Sequence, residues 1–263
     1  MVDFFYNLSA PIQSLIGGLF TFLITTIGAA SVFLLKKINR TVMDAFLGIA
    51  AGVMIAASFF SLLNPAFDMA NNLKMNSLVV VTIGFLVGAI FLFFCDKLFD
   101  LKLKKHKKYD NKRLSLLIFS IIMHNIPEGM AIGVAFGSVI YGLDGATVLS
   151  AITLAIGIGI QNFPEGAAIS LPMRREGNSR LKSFLIGSLS GIVEPISALL
   201  GAILVLKMQV VLPYLLSFAA GAMLYVVIEE IIPESQLNKN KGLIALLTLV
   251  GFSIMMILDV ALG

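Results

Sequence analysis

His124-Asn125-Ile126-Pro127-Glu128-Gly129 recurs 37 residues later as Gln161-Asn162-Phe163-Pro164-Glu165-Gly166. Both copies lie inside long apolar stretches. From Leu114 to Ile140 the only ionisable side chains are His124 and Glu128. A run of that length and composition reads as a helix crossing a lipid bilayer. A charged side chain near the centre of such a helix costs about 2.5–3.5 kcal/mol on insertion scales, so it needs a function or a partner. Two carboxylates at matching places, each next to carboxamide or imidazole donors, read as the ligand shell of a cation.

Working outward, the rest of the chain has the same character. Hydrophobic residues make up 58% of it and charged ones 13%, against about 25% charged in soluble domains. The periodicity predicts an all-α membrane protein with eight spans, over roughly 8–35, 43–63, 77–95, 114–140, 147–171, 184–206, 211–232 and 242–262. They leave no room for a separate soluble domain, so residues 1–263 form one transmembrane unit. The first uncharged run, Phe4 to Leu35, is too long for the core of a cleaved leader and reads as a retained span. The single cysteine, Cys95, excludes an intrachain disulfide and a cysteine metal cluster.

The net charge of +4 follows topology and does not point to nucleic acid. Seventeen of the 19 Lys and Arg residues fall in alternate loops, and Lys74 and Lys207 are the other two. By the positive-inside rule the basic loops face the cytoplasm and both termini face outward. The loop around residues 96–113 is the one sizeable polar stretch, and its lysines set topology. His106 within it is expected to be solvated.

On a helix, His124 and Glu128 are four residues apart and Asn125 and Glu128 three, so these pairs share a face. Gln161, Asn162 and Glu165 repeat the arrangement. Each glutamate can therefore serve two adjacent ligand sets, a natural plan for two neighbouring cations bridged by carboxylates. Pro127, Pro164 and Pro195 remove the donors for the carbonyls of Met123, Ile160 and Gly191, and Glu194-Pro195 adds a third intramembrane glutamate. Imidazole, carboxylate and carboxamide without thiolate suit divalent zinc, iron or manganese. A site so rich in oxygen and carboxamide holds its ion loosely enough to release it. Protons compete for the same donors, so uptake is expected to weaken as external pH falls. Glycines at four-residue spacing (Gly48/Gly52, Gly129/Gly133/Gly137, Gly187/Gly191) are expected to allow tight helix packing.

At these residues the chain resembles the Zrt/Irt-like (ZIP) family of divalent metal transporters, particularly its compact bacterial members. The resemblance covers essentially the whole chain. It implies eight helices in a three-two-three bundle, in the cell membrane and often dimeric, importing zinc or a related dication such as iron, manganese or cadmium. The dication is cargo, and no catalytic cofactor is implied. One site would use His124, Glu128, Gln161 and Glu165, with Met54 touching it; the other would use Asn125, Glu128, Asn162, Glu165 and Glu194. Ser61 and Asp68 match positions along the outer entrance, and Glu229-Glu230 match an exit site. Three departures stand out: Gln161 where many members have histidine, Asn162 where some have aspartate, and Glu229 where some have histidine. The family's frequent histidine-rich loop is replaced by lysines.

Two rival readings are weaker. A metalloprotease needs a pattern such as His-Glu-x-x-His, and His124 is the only intramembrane histidine; a serine protease needs a histidine-activated serine, which Ser188 and Ser190 lack. A passive cation channel could use the same ligands, and liposome flux separates it from a carrier. No phosphate-binding glycine loop points to ATP use.

Overall fold

The computed structural model describes residues 6–34, 40–104, 112–140, 147–237 and 240–262. The Lys105–Lys108 part of the basic loop, with His106, lies outside the described residues. So do both extreme ends.

Eight helical segments follow one another, and no strand occurs among the described residues. They are α1 (Ala10–Leu34), α2 (Arg40–Asn72), α3 (Ser77–Lys104), α4 (Lys112–Ile140), α5 (Val148–Arg175), α6 (Arg180–Ile203), α7 (residues 205–235) and α8 (Lys241–Leu262). Long apolar sequence with few breakers makes each helix, because a backbone in lipid must satisfy its own hydrogen bonds. Polar residues set the starts. Thr147 and Ser150 form a reciprocal capping box at the head of α5, and the Ser179 side chain accepts from the Lys182 amide at the head of α6.

Seven of these helices are long and apolar enough to cross a membrane by length and composition. The remaining helix, α4, carries the first hexapeptide and begins with Lys112-Arg113. The sequence boundaries shift where prolines are absorbed without a break. The second span runs on to Asn72, passing Pro65 just after a π-helical turn at Ser58–Leu63. The seventh runs on to Ser235 through a π turn at Val227–Ile231 just ahead of Pro233.

Packing sorts the helices. One set joins α1 to α4, α5 and α6, with α4 also lying along α6; the other joins α3 to α7 and α2 to α8. The sets meet where α7 crosses α4 and where α2 crosses α5. In α2, 67% of the most apolar window is buried, against 17% in α8, so α2 is interior and α8 faces outward. The glycines behave as expected. A Cβ on Gly52 would lie 2.7 Å from the Phe252 nitrogen of α8, and one on Gly133 would lie 2.8 Å from the Ala202 nitrogen of α6. Pro127 and Pro164 sit inside uninterrupted helices. Of the three prolines next to intramembrane glutamates, only Pro195 has a change of helix form beside it, a 3-10 turn at Ser190–Ile192.

Candidate metal centre

The close approach of α4, α5 and α6 lets intramembrane polar residues hydrogen-bond from helix to helix. Asn125, Glu128, Gln161, Asn162, Glu165 and Glu194 are all fully buried. Gln161 Nε2 donates to Glu128 Oε1, tying α5 to α4. Asn162 Nδ2 donates to Glu194 Oε2 at 2.7 Å, tying α5 to α6. Asn125 Nδ2 donates to the Ser190 carbonyl at 3.3 Å, within the 3-10 turn of α6. Thr25 of α1 reaches Glu194 Oε1 at 3.5 Å. Glu165 lies near enough to Glu128 and Glu194 for each to feel its charge.

The carboxamides are therefore oriented. Their nitrogens are spent on carboxylates and a carbonyl, and their oxygens are left over. Asn125 Oδ1, Gln161 Oε1, Asn162 Oδ1 and Glu128 Oε2 are buried and take no hydrogen bond from any described residue. An unsatisfied buried acceptor costs about 1–3 kcal/mol. These four, with the fully buried carboxylates of Glu165 and Glu194, make an environment that a cation relieves and apolar packing cannot.

The structure places the other candidate residues less uniformly. His124 is one helical turn before Glu128 in α4, and its side chain lies outside those described. Met54 is fully buried in the apolar core. Its carbonyl accepts from Ser58 at 2.8 Å, and the same hydroxyl meets Met223 Sδ at 3.1 Å. The Met54 side chain therefore packs among apolar neighbours. Among the described residues no three His, Cys, Asp or Glu side chains gather as a ready-made metal shell, so this donor set depends on its carboxamides.

Ser61 and Asp68 come together at the end of the bundle opposite the basic loops. They line a cavity of about 560 Å³ with Asn64, Thr147, Thr153 and Asp259. Ser61 Oγ donates to the Asp259 carboxylate, 2.9 Å from Oδ2 and 3.1 Å from Oδ1. Reading the sequence missed Asp259, although a carboxylate inside the last span was a usable signal. Glu229 and Glu230 sit at the other end, in the π turn of α7, the first exposed and the second nearly buried. Asp44 was also passed over: it is fully buried in α2, with Arg40 Nε 2.7 Å from its Oδ1.

Comparison with known proteins places the chain in a family. The family model described as ZIP zinc transporter matches residues 11–115 and 104–259. Zinc transporter ZIP11 of Xenopus tropicalis is 40% identical, the alignment covering 97% of this chain and 98% of that protein. Zinc transporter ZIP11 of Homo sapiens is 37% identical over 97% and 98%. Zinc transporter ZIPB of Bordetella bronchiseptica is 34% identical over 95% and 81%. Identity is thus higher to these animal proteins than to this bacterial one.

Proposed function

The chain belongs to the ZIP zinc transporter family, and from that premise we propose that it carries zinc into the cytoplasm through the mixed carboxylate and carboxamide centre of α4, α5 and α6. It is a membrane transporter and not an enzyme. The observation that carries the reading is the set of four buried oxygens, on Asn125, Glu128, Gln161 and Asn162, that take no hydrogen bond from any described residue, together with the buried carboxylates of Glu165 and Glu194.

In this proposal all eight helices, α4 included, cross the cell membrane in a three-two-three arrangement forming one transporter domain, with both termini outside. Glu128 and Glu165 bridge two ions. One ion is completed by His124 and Gln161 with Met54 nearby, and the other by Asn125, Asn162 and Glu194. Ions gather from outside in the cavity of Ser61, Asp68 and Asp259, shed water at the centre, and leave past Glu229 and Glu230. A negative interior favours that direction, by about 4.6 kcal/mol for a dication crossing 100 mV. Proteoliposome uptake tests the reading. Saturable zinc uptake at low turnover supports a carrier, and near-diffusive conductance would point to a pore.

Two outcomes are expected from the same assay. Asp259→Asn removes a charge from the outer cavity while keeping an acceptor for Ser61. It should raise the KM for zinc several-fold, roughly as a loss of about 1 kcal/mol of cation attraction does, with kcat little changed. An unchanged KM contradicts the entrance role. Protons compete with zinc at the carboxylates and imidazole, so apparent zinc affinity should fall as external pH is lowered and recover when pH is restored. An affinity flat in pH means those groups do not face the incoming ion.

A further inference from the structure

At the basic end of the bundle, four charged side chains from three helices meet. Arg40 of α2 donates from Nη1 to Glu234 Oε1 at 2.9 Å and from Nη2 to the Glu234 carbonyl, so it pins the last turn of α7. Arg40 is itself held by buried Asp44 at 2.7 Å. Onto this brace comes Arg175, the last residue of α5, whose Nη1 is 3.4 Å from the same Glu234 oxygen and 3.8 Å from Met43 Sδ of α2.

The two parts differ in strength and in what they join. Arg40, Asp44 and Glu234 belong to helices of one packing set, with the Arg40 side chain 22% exposed and that of Asp44 fully buried. Arg175 comes from the other set, is 39% exposed, and makes a longer contact. Half-exposed ion pairs are worth little, and so are easily broken and remade. Both arms also stand on bendable backbone: Pro172 lies three residues before Arg175, and the Val227–Ile231 π turn with Pro233 lies just before Glu234. Helices bend at prolines and π turns. The same helix, α5, carries Glu165 ten residues before Arg175.

From this arrangement we infer that Arg175 and Glu234 form an inner latch, braced by Arg40 and Asp44, that holds the cytoplasmic exit shut and opens once per transport cycle. The latch rests on the transport reading and adds to it the step that gates release. The present structure is the latched form, with its outer cavity lined by Thr153 of the same helix α5.

The test uses full-length protein in a Cys95→Ala background carrying Arg175→Cys and Glu234→Cys, cross-linked in detergent with a bis-methanethiosulfonate and then reconstituted. Zinc uptake should fall about tenfold or more when the two ends are tied, as expected when a gating motion limits turnover. Reduction with dithiothreitol should restore it. Modification with a single-ended methanethiosulfonate should leave uptake in place. Cross-linked protein that transports at the untied rate overturns the latch, as does an equal block by the single-ended reagent. Wild-type protein that carries no zinc overturns the transport reading instead. A milder variant gives a second measure. Arg175→Gln with Thr153→Cys, again in the Cys95→Ala background, should be labelled by an impermeant external maleimide up to about fivefold more slowly than Thr153→Cys alone, since losing a weak pair shifts the equilibrium toward the inner-open form. Misfolding would speed that labelling, and an unchanged rate counts against the latch.

Discussion

Glu128→Ala should reduce zinc uptake in proteoliposomes by about a hundredfold or more, the scale of losing a charged group that holds the ion in a dry site, while the protein stays folded and monodisperse. Glu128 is fully buried on α4, accepts from Gln161, and keeps a second oxygen with no described partner. Removing it takes away the carboxylate that both proposed ions share. Its neighbours cannot substitute, because Glu165 and Glu194 come from other helices and Glu194 already accepts from Asn162 and Thr25. The substitution also removes a fully buried carboxylate, which is costly in a dry site when no cation is bound. Thermal stability without zinc should therefore hold or rise as transport is lost. Loss of function with gain of stability marks a site built for a ligand, whereas a merely structural glutamate would lose both. Measuring zinc, iron, manganese and cadmium in parallel would show which ions this carboxylate serves. Uptake of all four at native rates would remove it from the pathway.

Gly166→Val should be the most damaging change outside the ligand set. Gly166 directly follows Glu165, and a Cβ there would strike the Thr25 carbonyl and lie 2.8 Å from the Ala29 nitrogen of α1. The reciprocal glycine, Gly28, faces the Phe163 carbonyl of α5 in the same way. Backbone cannot yield as a flexible side chain can, so α1 and α5 must separate. Overpacking of this kind costs about 1–3 kcal/mol and sometimes more. The separation also moves Glu165 and draws Thr25 away from Glu194. We expect a lowered Tm together with loss of zinc uptake. A variant that melts normally and transports normally would show that helix contact here does not position the centre.

Much of the centre was legible in the sequence because chemistry out of place is easy to see. A glutamate beside a carboxamide in an uncharged run has no ordinary explanation, and the second copy of the hexapeptide excluded accident. Helix periodicity then put Asn125 with Glu128 and Asn162 with Glu165, and the structure buries all four side chains. Glu194 was visible for the same reason. What the sequence could not carry was which donor meets which acceptor. Gln161 and Asn162 are adjacent, yet one turns to Glu128 on α4 and the other to Glu194 on α6. Only the three-dimensional packing of α4, α5 and α6 decides that.

The fold was legible to a similar depth. Eight helical segments lie where apolar runs predict them, but the ends moved wherever a π turn let a helix pass a proline, as at Ser58–Leu63 and Val227–Ile231. Asp259, Asp44 and Glu234 are harder to read from sequence for a different reason. Each is a lone acid near the end of a helix, and only the partner supplied by another residue gives it meaning: Ser61, Arg40, and the Arg40–Arg175 pair respectively.

Anomalous X-ray scattering at the zinc edge, from crystals of the zinc-loaded protein, tests the central claim most directly. The account predicts zinc between α4, α5 and α6, at about 2.0–2.2 Å from carboxylate oxygens of Glu128 and Glu165, and no such peak in Glu128→Ala. Zinc located anywhere else in the bundle, or an undiminished peak in the variant, would contradict it.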